Sequence, residues 1–159
     1  MSVHAGVADE YDRQLKGLPG FMRREAAHAG ELTTRHVAQL TPIGKQIDPA
    51  TGDHTGGYSG KLRKSWRTMT VRVEGTSYTS GTSSSVSYAG IVDGGARAHV
   101  IEGNRYLRFF THGELLVRER VHHPGFRGIH MTIRGLNAAE REFLEGAGER
   151  YQRFLDGGE

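Results

Sequence analysis

Ser87-Tyr88-Ala89-Gly90-Ile91-Val92-Asp93-Gly94-Gly95, then Ala98-His99-Val100-Ile101, Tyr106-Leu107-Arg108-Phe109 and Val121-His122-His123-Pro124-Gly125 are the segments whose reading decides the fold. Short β-branched and aromatic runs alternate with glycine breaks, the pattern of strands joined by tight corners. Val86–Val92 reads as a strand broken by Asp93-Gly94-Gly95. Tyr106–Phe110 and Leu115–Val121 read as a hairpin closed around Thr111–Glu114, and residues 122–130 as loop. Upstream, Thr68–Glu74 alternates as a strand and Gly75 makes a corner. The polar stretch Ser77–Ser85 follows as an edge strand or hairpin tip.

Helical patterns flank this middle. Tyr11, Leu15 and Leu18 fall at i, i+4 and i+7, one face of a helix. Pro19-Gly20 predicts an interruption, and a second stretch from Phe21 sets Ala29, Leu32, His36 and Leu40 near one face. Thr41-Pro42 ends it, because the residue before proline disfavours helix. Residues 43–60 read as a long glycine-rich loop, and Lys61–Trp66 as one helical turn. Asn137 with Glu140 predicts a capping box, followed by an apolar stripe of Phe143, Ala147, Tyr151 and Phe154.

Strands that cluster between helices predict an α+β fold. The expectation is a small antiparallel β-sheet packed by a long N-terminal helix and a C-terminal helix, with long loops. We read one domain over residues 1–159, with a helical region at 7–40, an extended loop at 41–60, a β-rich core at 61–123 and a C-terminal helix over about 136–155. The chain has 159 residues, 36% of them hydrophobic, enough for a modest core without a staple. Cysteine is absent, which excludes disulfides, thiolate nucleophiles and cysteine-ligated zinc. No apolar run approaches the ~20 residues of a membrane span, and the start lacks the pattern of a signal peptide. The net charge of +3 is a mild bias for a dedicated DNA binder.

Three kinds of chemistry merit weighing. His99, His122 and His123 suggest a small histidine-dependent metal-binding enzyme, but adjacent residues of an extended strand point to opposite faces, so only one of the last two can join His99. Packing beside glycine corners is the plainer reading. The serines at 77, 80, 83, 84, 85 and 87 lie in no G-x-S-x-G, and Gly52–Ser59 lacks P-loop spacing and its lysine. Lys61, Arg63, Lys64 and Arg67 surround Trp66, the composition of a nucleic-acid-binding module or of a solvated turn anchored by Leu62 and Trp66. Glu140 and Glu142 read as solvated helix charge. No cofactor is implied.

Taken in order, the motifs resemble those of the head–tail joining proteins of tailed bacteriophages, the neck or tail-completion (minor tail protein) family. Thr41-Pro42 stands at the first motif, and Gly60, Leu62, Arg63 and Ser65 at the second. Tyr88, Ala89, Val92 and Gly94 stand at the third, and His99 and Ile101 at a histidine corner. Leu107 and Phe109 match a strand; Val121, His123, Pro124 and Gly125 match a final turn. The coverage is about residues 9–145. Many relatives follow that turn with a proline-rich segment, where Gly128-Ile129-His130-Met131 stands here.

The resemblance implies a structural virion protein and no catalytic residues. It implies a homo-oligomeric ring, a hexamer, assembled in the host cytoplasm and resident in the phage neck or tail. Its neighbours would be a connector or stopper and a tail terminator or tail tube, with genomic DNA crossing the lumen unread. Adaptor, stopper, terminator and completion roles all remain open. Ser77–Ser85 and Ile43–Tyr58 are the expected inter-subunit arms, and Lys61, Arg63, Lys64 and Arg67 the expected channel or interface cations.

Overall fold

A computed structural model describes residues 3–47, 54–58, 60–111 and 114–158. Among the described residues there are four helices, α1 (Val3–Leu40), α2 (Lys61–Ser65), α3 (Ala89–Gly94) and α4 (Met131–Leu155), with ten strands in groups between them. The strands are β1 (Lys45–Ile47), β2 (His54–Tyr58), β3 (Trp66–Thr68), β4 (Arg72–Glu74), β5 (Ser77–Thr79), β6 (Thr82–Ser84), β7 (Gly95–Ala96), β8 (His99–Thr111), β9 (Glu114–His123) and β10 (Phe126–Arg127). The fold is mixed α+β, with small antiparallel sheets between a long N-terminal and a C-terminal helix. The strands form five separate two-stranded ladders, β1–β2, β3–β6, β4–β5, β7–β10 and β8–β9. The contacts divide the chain into two compact units, Met1–Leu40 with Trp66–Ser83 and Ile133–Glu159, and Thr41–Ser65 with Ser84–Thr132.

The first unit is built on α1 and α4, which run antiparallel. Phe21, buried on α1, stacks on Phe154 at 4.6 Å and meets Tyr151 at 6.0 Å. One turn on, Arg150 Nε donates to both carboxylate oxygens of Glu25 at 2.8 and 3.1 Å, and its Nη2 donates to the Phe143 carbonyl at 2.9 Å. The same guanidinium lies 4.5 Å from the centre of the Phe143 ring. Near the other end Gly135 is buried, and a β-carbon there would lie 2.8 Å from the backbone nitrogen of Val37. Only glycine allows that approach of the two helices. α1 also packs on β3 and β5, where Thr68 Oγ1 donates to Thr34 Oγ1 at 3.0 Å. Leu32, Val37, Trp66 and Ala139 complete this unit's buried apolar set.

The second unit centres on Thr41, Leu62, Ala89 and Met131, all buried. Thr41 is fully enclosed, and its hydroxyl donates to Met131 Sδ at 3.3 Å. β8 and β9 form the longest ladder, pairing from His99↔His123 through Leu107↔Arg118 to Thr111↔Glu114, with a bulge between Glu102 and Leu107.

Several elements differ from the sequence expectation. α1 runs unbroken through Pro19, because Phe154 holds it on both sides: a β-carbon on Gly17 would lie 3.2 Å from that ring, and Phe21 stacks on it. Val86–Val92 is not a strand; Ala89–Gly94 is helical, with the Val92 N–H donating to Tyr88. Thr68–Glu74 divides into the end of β3 and β4. The 43–60 loop contains the antiparallel β1–β2 hairpin; residues 48–53, within the expected arm, and residue 59 lie outside the described residues. α4 begins at Met131, so Asn137 is interior and caps nothing. The hairpin around Thr111–Glu114 is present and longer than expected, and Ser77–Ser85 supplies β5 and β6.

Candidate functional site

The residues that carry the neck-protein resemblance fall almost entirely in the second unit, where they build a frame of fixed corners. Gly60 takes a left-handed φ of 53° and its carbonyl accepts the Lys64 N–H at 2.9 Å, starting the single turn of α2. From that turn Leu62 inserts into the core. Arg63 reaches back to the Thr41 carbonyl, donating from Nε at 2.9 Å and Nη2 at 2.7 Å. Two donors on one carbonyl pin the chain where α1 has just ended. Ser65 closes the turn, donating from Oγ to the Leu62 carbonyl at 2.7 Å, and its hydroxyl lies 2.6 Å from that of Ser84.

The second corner joins α3 and β7 to β10 and the start of α4. β7 and β10 pair as Gly95↔Arg127 and Ala96↔Phe126. Gly95 and Gly125 adopt φ of 83° and 79°. A β-carbon on Gly95 would lie 2.5 Å from Phe126 O, one on Gly125 would lie 2.8 Å from Ala98 N, and one on Gly128 would lie 2.6 Å from Gly95 N. The carbonyls ending α3 are taken by this segment: Ile129 N–H donates to Val92 O at 3.1 Å and His130 N–H to Asp93 O at 2.9 Å. The Asp93 carboxylate then accepts the Thr132 N–H at 3.0 Å and the Thr132 hydroxyl, supplying from far upstream the N-terminal cap of α4.

His99 and His123 face each other across the base of the β8–β9 hairpin, rings stacked at 5.1 Å. Their partners fix their tautomers. His99 Nδ1 lies 2.8 Å from the Arg97 carbonyl and so carries the proton, whereas His123 Nδ1 accepts the Gly125 N–H at 3.0 Å. Phe126 meets the His123 ring edge-on at 6.4 Å. His122 pairs with Val100 and lies on the opposite face. Of the three expected histidines the structure therefore brings two together. Among the described residues no group of three or more His, Asp or Glu could hold a metal ion.

The remaining expected residues belong to both units. Lys61 and Lys64 are exposed on α2, Arg63 is committed to Thr41, and Arg67, on β3 of the first unit, donates to the Trp66 carbonyl at 2.9 Å. Trp66 is buried in the first unit. Ala89 is buried and Val92 half-buried, while Tyr88, Gly94 and Pro124 are exposed. Phe109 is half-buried and pairs with Leu116 across the β8–β9 ladder. Glu142 is not simply solvated: it takes hydrogen bonds from Arg35 and, at 2.8 Å, from His36 Nε2. These two partners, Arg35 first, hold its carboxyl below the ordinary glutamate range.

Sequence reading missed Asp93, the Glu25–Arg150 pair and the packing glycines. A glycine such as Gly135 inside a helical pattern was the one visible signal, since it costs helix stability and needs a packing reason. No family model, curated protein or solved structure matches the chain.

Proposed function

We propose that this chain is a structural protein of the tailed-phage neck, a head–tail joining or tail-completion component that assembles as a hexameric ring around the DNA path. It contacts a connector or stopper on one side and a tail terminator or tail tube on the other. The observation that carries this reading is the convergence of the ordered motif residues. Thr41, Gly60, Leu62, Arg63, Ser65, Ala89, Val92, His99, His123 and Gly125 lie within one compact unit and act as braces. A motif set that fixes corners is what a joining protein needs, because its partners read surface shape and not a reacting group.

The β8–β9 hairpin supports the same reading. Among the described residues β8 and β9 pack mainly on each other, and Val100, Ile101, Tyr106, Leu115 and Val117 are exposed on them. Each strand keeps one edge unpaired within its sheet, ready for strand addition by a neighbour. A two-stranded hairpin with apolar faces is marginal by itself and gains stability in an assembly.

Cryo-electron microscopy of the assembled particle tests the proposal. The expected result is a ring of this chain between head connector and tail tube, with β8–β9 in a subunit interface. Absence of the chain from every particle would overturn it. A Val117→Glu variant should melt like the wild type, within about 0.5 kcal/mol, and yet fail to complete particles.

A further inference from the structure

The N-terminal half of α1 carries an apolar stripe that its own chain leaves open. Tyr11 is 66% and Leu15 59% exposed, and Leu18 and Met22 continue the exposed line. Tyr151 and Leu155 of α4 join Tyr11, Leu15 and Leu18 around one shallow groove. Leu144, also exposed, lies two turns before Tyr151 on the same face of α4. Gly148 falls between them with no atom within 4 Å of the place its β-carbon would take, so a facing helix can come close. A contiguous apolar face built from two helices marks a docking surface.

The spacing identifies the occupant. Tyr11, Leu15, Leu18 and Met22 are separated by four, three and four residues, a sequence of gaps that reads the same in both directions. These are the gaps of the apolar seam between paired helices. A second copy laid antiparallel sets Tyr11 opposite Met22 and Leu15 opposite Leu18, and the same contacts recur by symmetry. That self-complementarity is the condition for an isologous two-fold contact. Charge selects the orientation. By helical periodicity Asp12 and Arg23 share the flank of the stripe turned away from α4. Antiparallel two-fold pairing keeps that flank of both copies on one side of the contact and brings Asp12 of each within one turn of the level of Arg23 of the other, whereas parallel two-fold pairing carries the two flanks to opposite sides and leaves Asp12 and Arg23 of different copies apart. Asp12 already bridges Lys16 at 2.8 Å, while Arg23 has no such partner among the described residues.

We propose that the free chain forms an antiparallel two-fold dimer through this α1–α4 face. The dimer is a property of the isolated protein, and its test uses no phage component, so it stands or falls apart from the neck reading. The absence of cysteine makes the test direct. Full-length Leu15→Cys and Leu18→Cys proteins, one of them tagged, are mixed in equal amounts and oxidised. The mixed disulfide is expected to exceed either homodimer, and a Val117→Cys control should cross-link no more than background. Sedimentation equilibrium of the wild type should give twice the chain mass of 17.5 kDa. Leu15→Glu should weaken the dimer about tenfold or more, with its helical circular dichroism unchanged. A wild type that stays monomeric at every concentration would overturn the proposal. So would Leu15→Cys homodimers in excess, the mark of parallel pairing, or a dimer indifferent to Leu15→Glu.

Discussion

In the corner formed by residues 93–95 and 125–132, backbone meets backbone; along the α1–α4 pair, side chain meets side chain. The corner holds itself with glycines at close approach, carbonyls of α3 answered by the N–H groups of Ile129 and His130, and one carboxylate capping α4. The helix pair holds itself with stacked rings, the Glu25–Arg150 pair and the Arg35–Glu142–His36 cluster. The first arrangement has almost no room to relax, since what would move is chain and not side-chain tips. The second is a set of separable contacts, each adjustable by rotamer, pH or salt. The proposed joining role would use both: corners that keep their shape, and a helical surface whose packing responds to what docks on it.

The largest expected effect breaks the corner. A Gly128→Ala β-carbon would run into the Asp93 carbonyl and lie 2.6 Å from Gly95 N. Neither neighbour is the end of a flexible side chain. The expected loss is about 3 kcal/mol, the upper end of overpacking penalties, read from a denaturant melt. A loss under about 1 kcal/mol would mean that the corner yields, contrary to the comparison. Next comes Glu25→Ala, which leaves the mostly buried Arg150 guanidinium with its hydrogen bond to the Phe143 carbonyl and its stacking on the Phe143 ring. The expected cost is about 2 kcal/mol, smaller than at Gly128 because the arginine can swing toward water. An equal or larger cost would make the helix pair as unforgiving as the corner.

How much of this was legible in the sequence follows the same division. The helical faces and the β8–β9 hairpin repeat with simple periods, so α1, α4 and the longest ladder could be read locally. The corner could not. Val86–Val92 has strand-like composition, yet the segment beginning at Ala89 is helical, with its end carbonyls satisfied by residues 129 and 130, far along the chain. Asn137 had the residue type and the glutamate of a capping box, but the cap of α4 is Asp93, which no local pattern could reveal. Pro19 looked like a break because its cost is local, while the ring of Phe154 that bridges it lies at the other end of the chain. The site shows the same pattern. Arg63, Ser65, His99 and His123 were recognisable as motif residues, but their bonding partners, such as the Thr41 carbonyl that Arg63 braces, are set by tertiary contact.

The smallest effect is the sharpest test, because it separates the two regions by their response to solution conditions. Glu142 has its carboxyl held below the ordinary value of 4.5, first by the Arg35 hydrogen bond and then by His36. A carboxyl whose folded value lies below its unfolded one adds stability that is present above the unfolded value and is lost as pH falls through the folded one. Glu142→Gln should therefore be slightly less stable than the wild type at neutral pH, and the two melting curves should converge as acid is added. Salt should narrow the gap at neutral pH, since both Glu142 and Arg35 are about half exposed. The Gly128→Ala deficit, being steric, should run parallel to the wild type across the same pH and salt series. A Glu142→Gln gap that stays constant into acid would show that the carboxylate's charge contributes nothing to holding the helix pair, which would then rest on its packing and the Glu25–Arg150 bond.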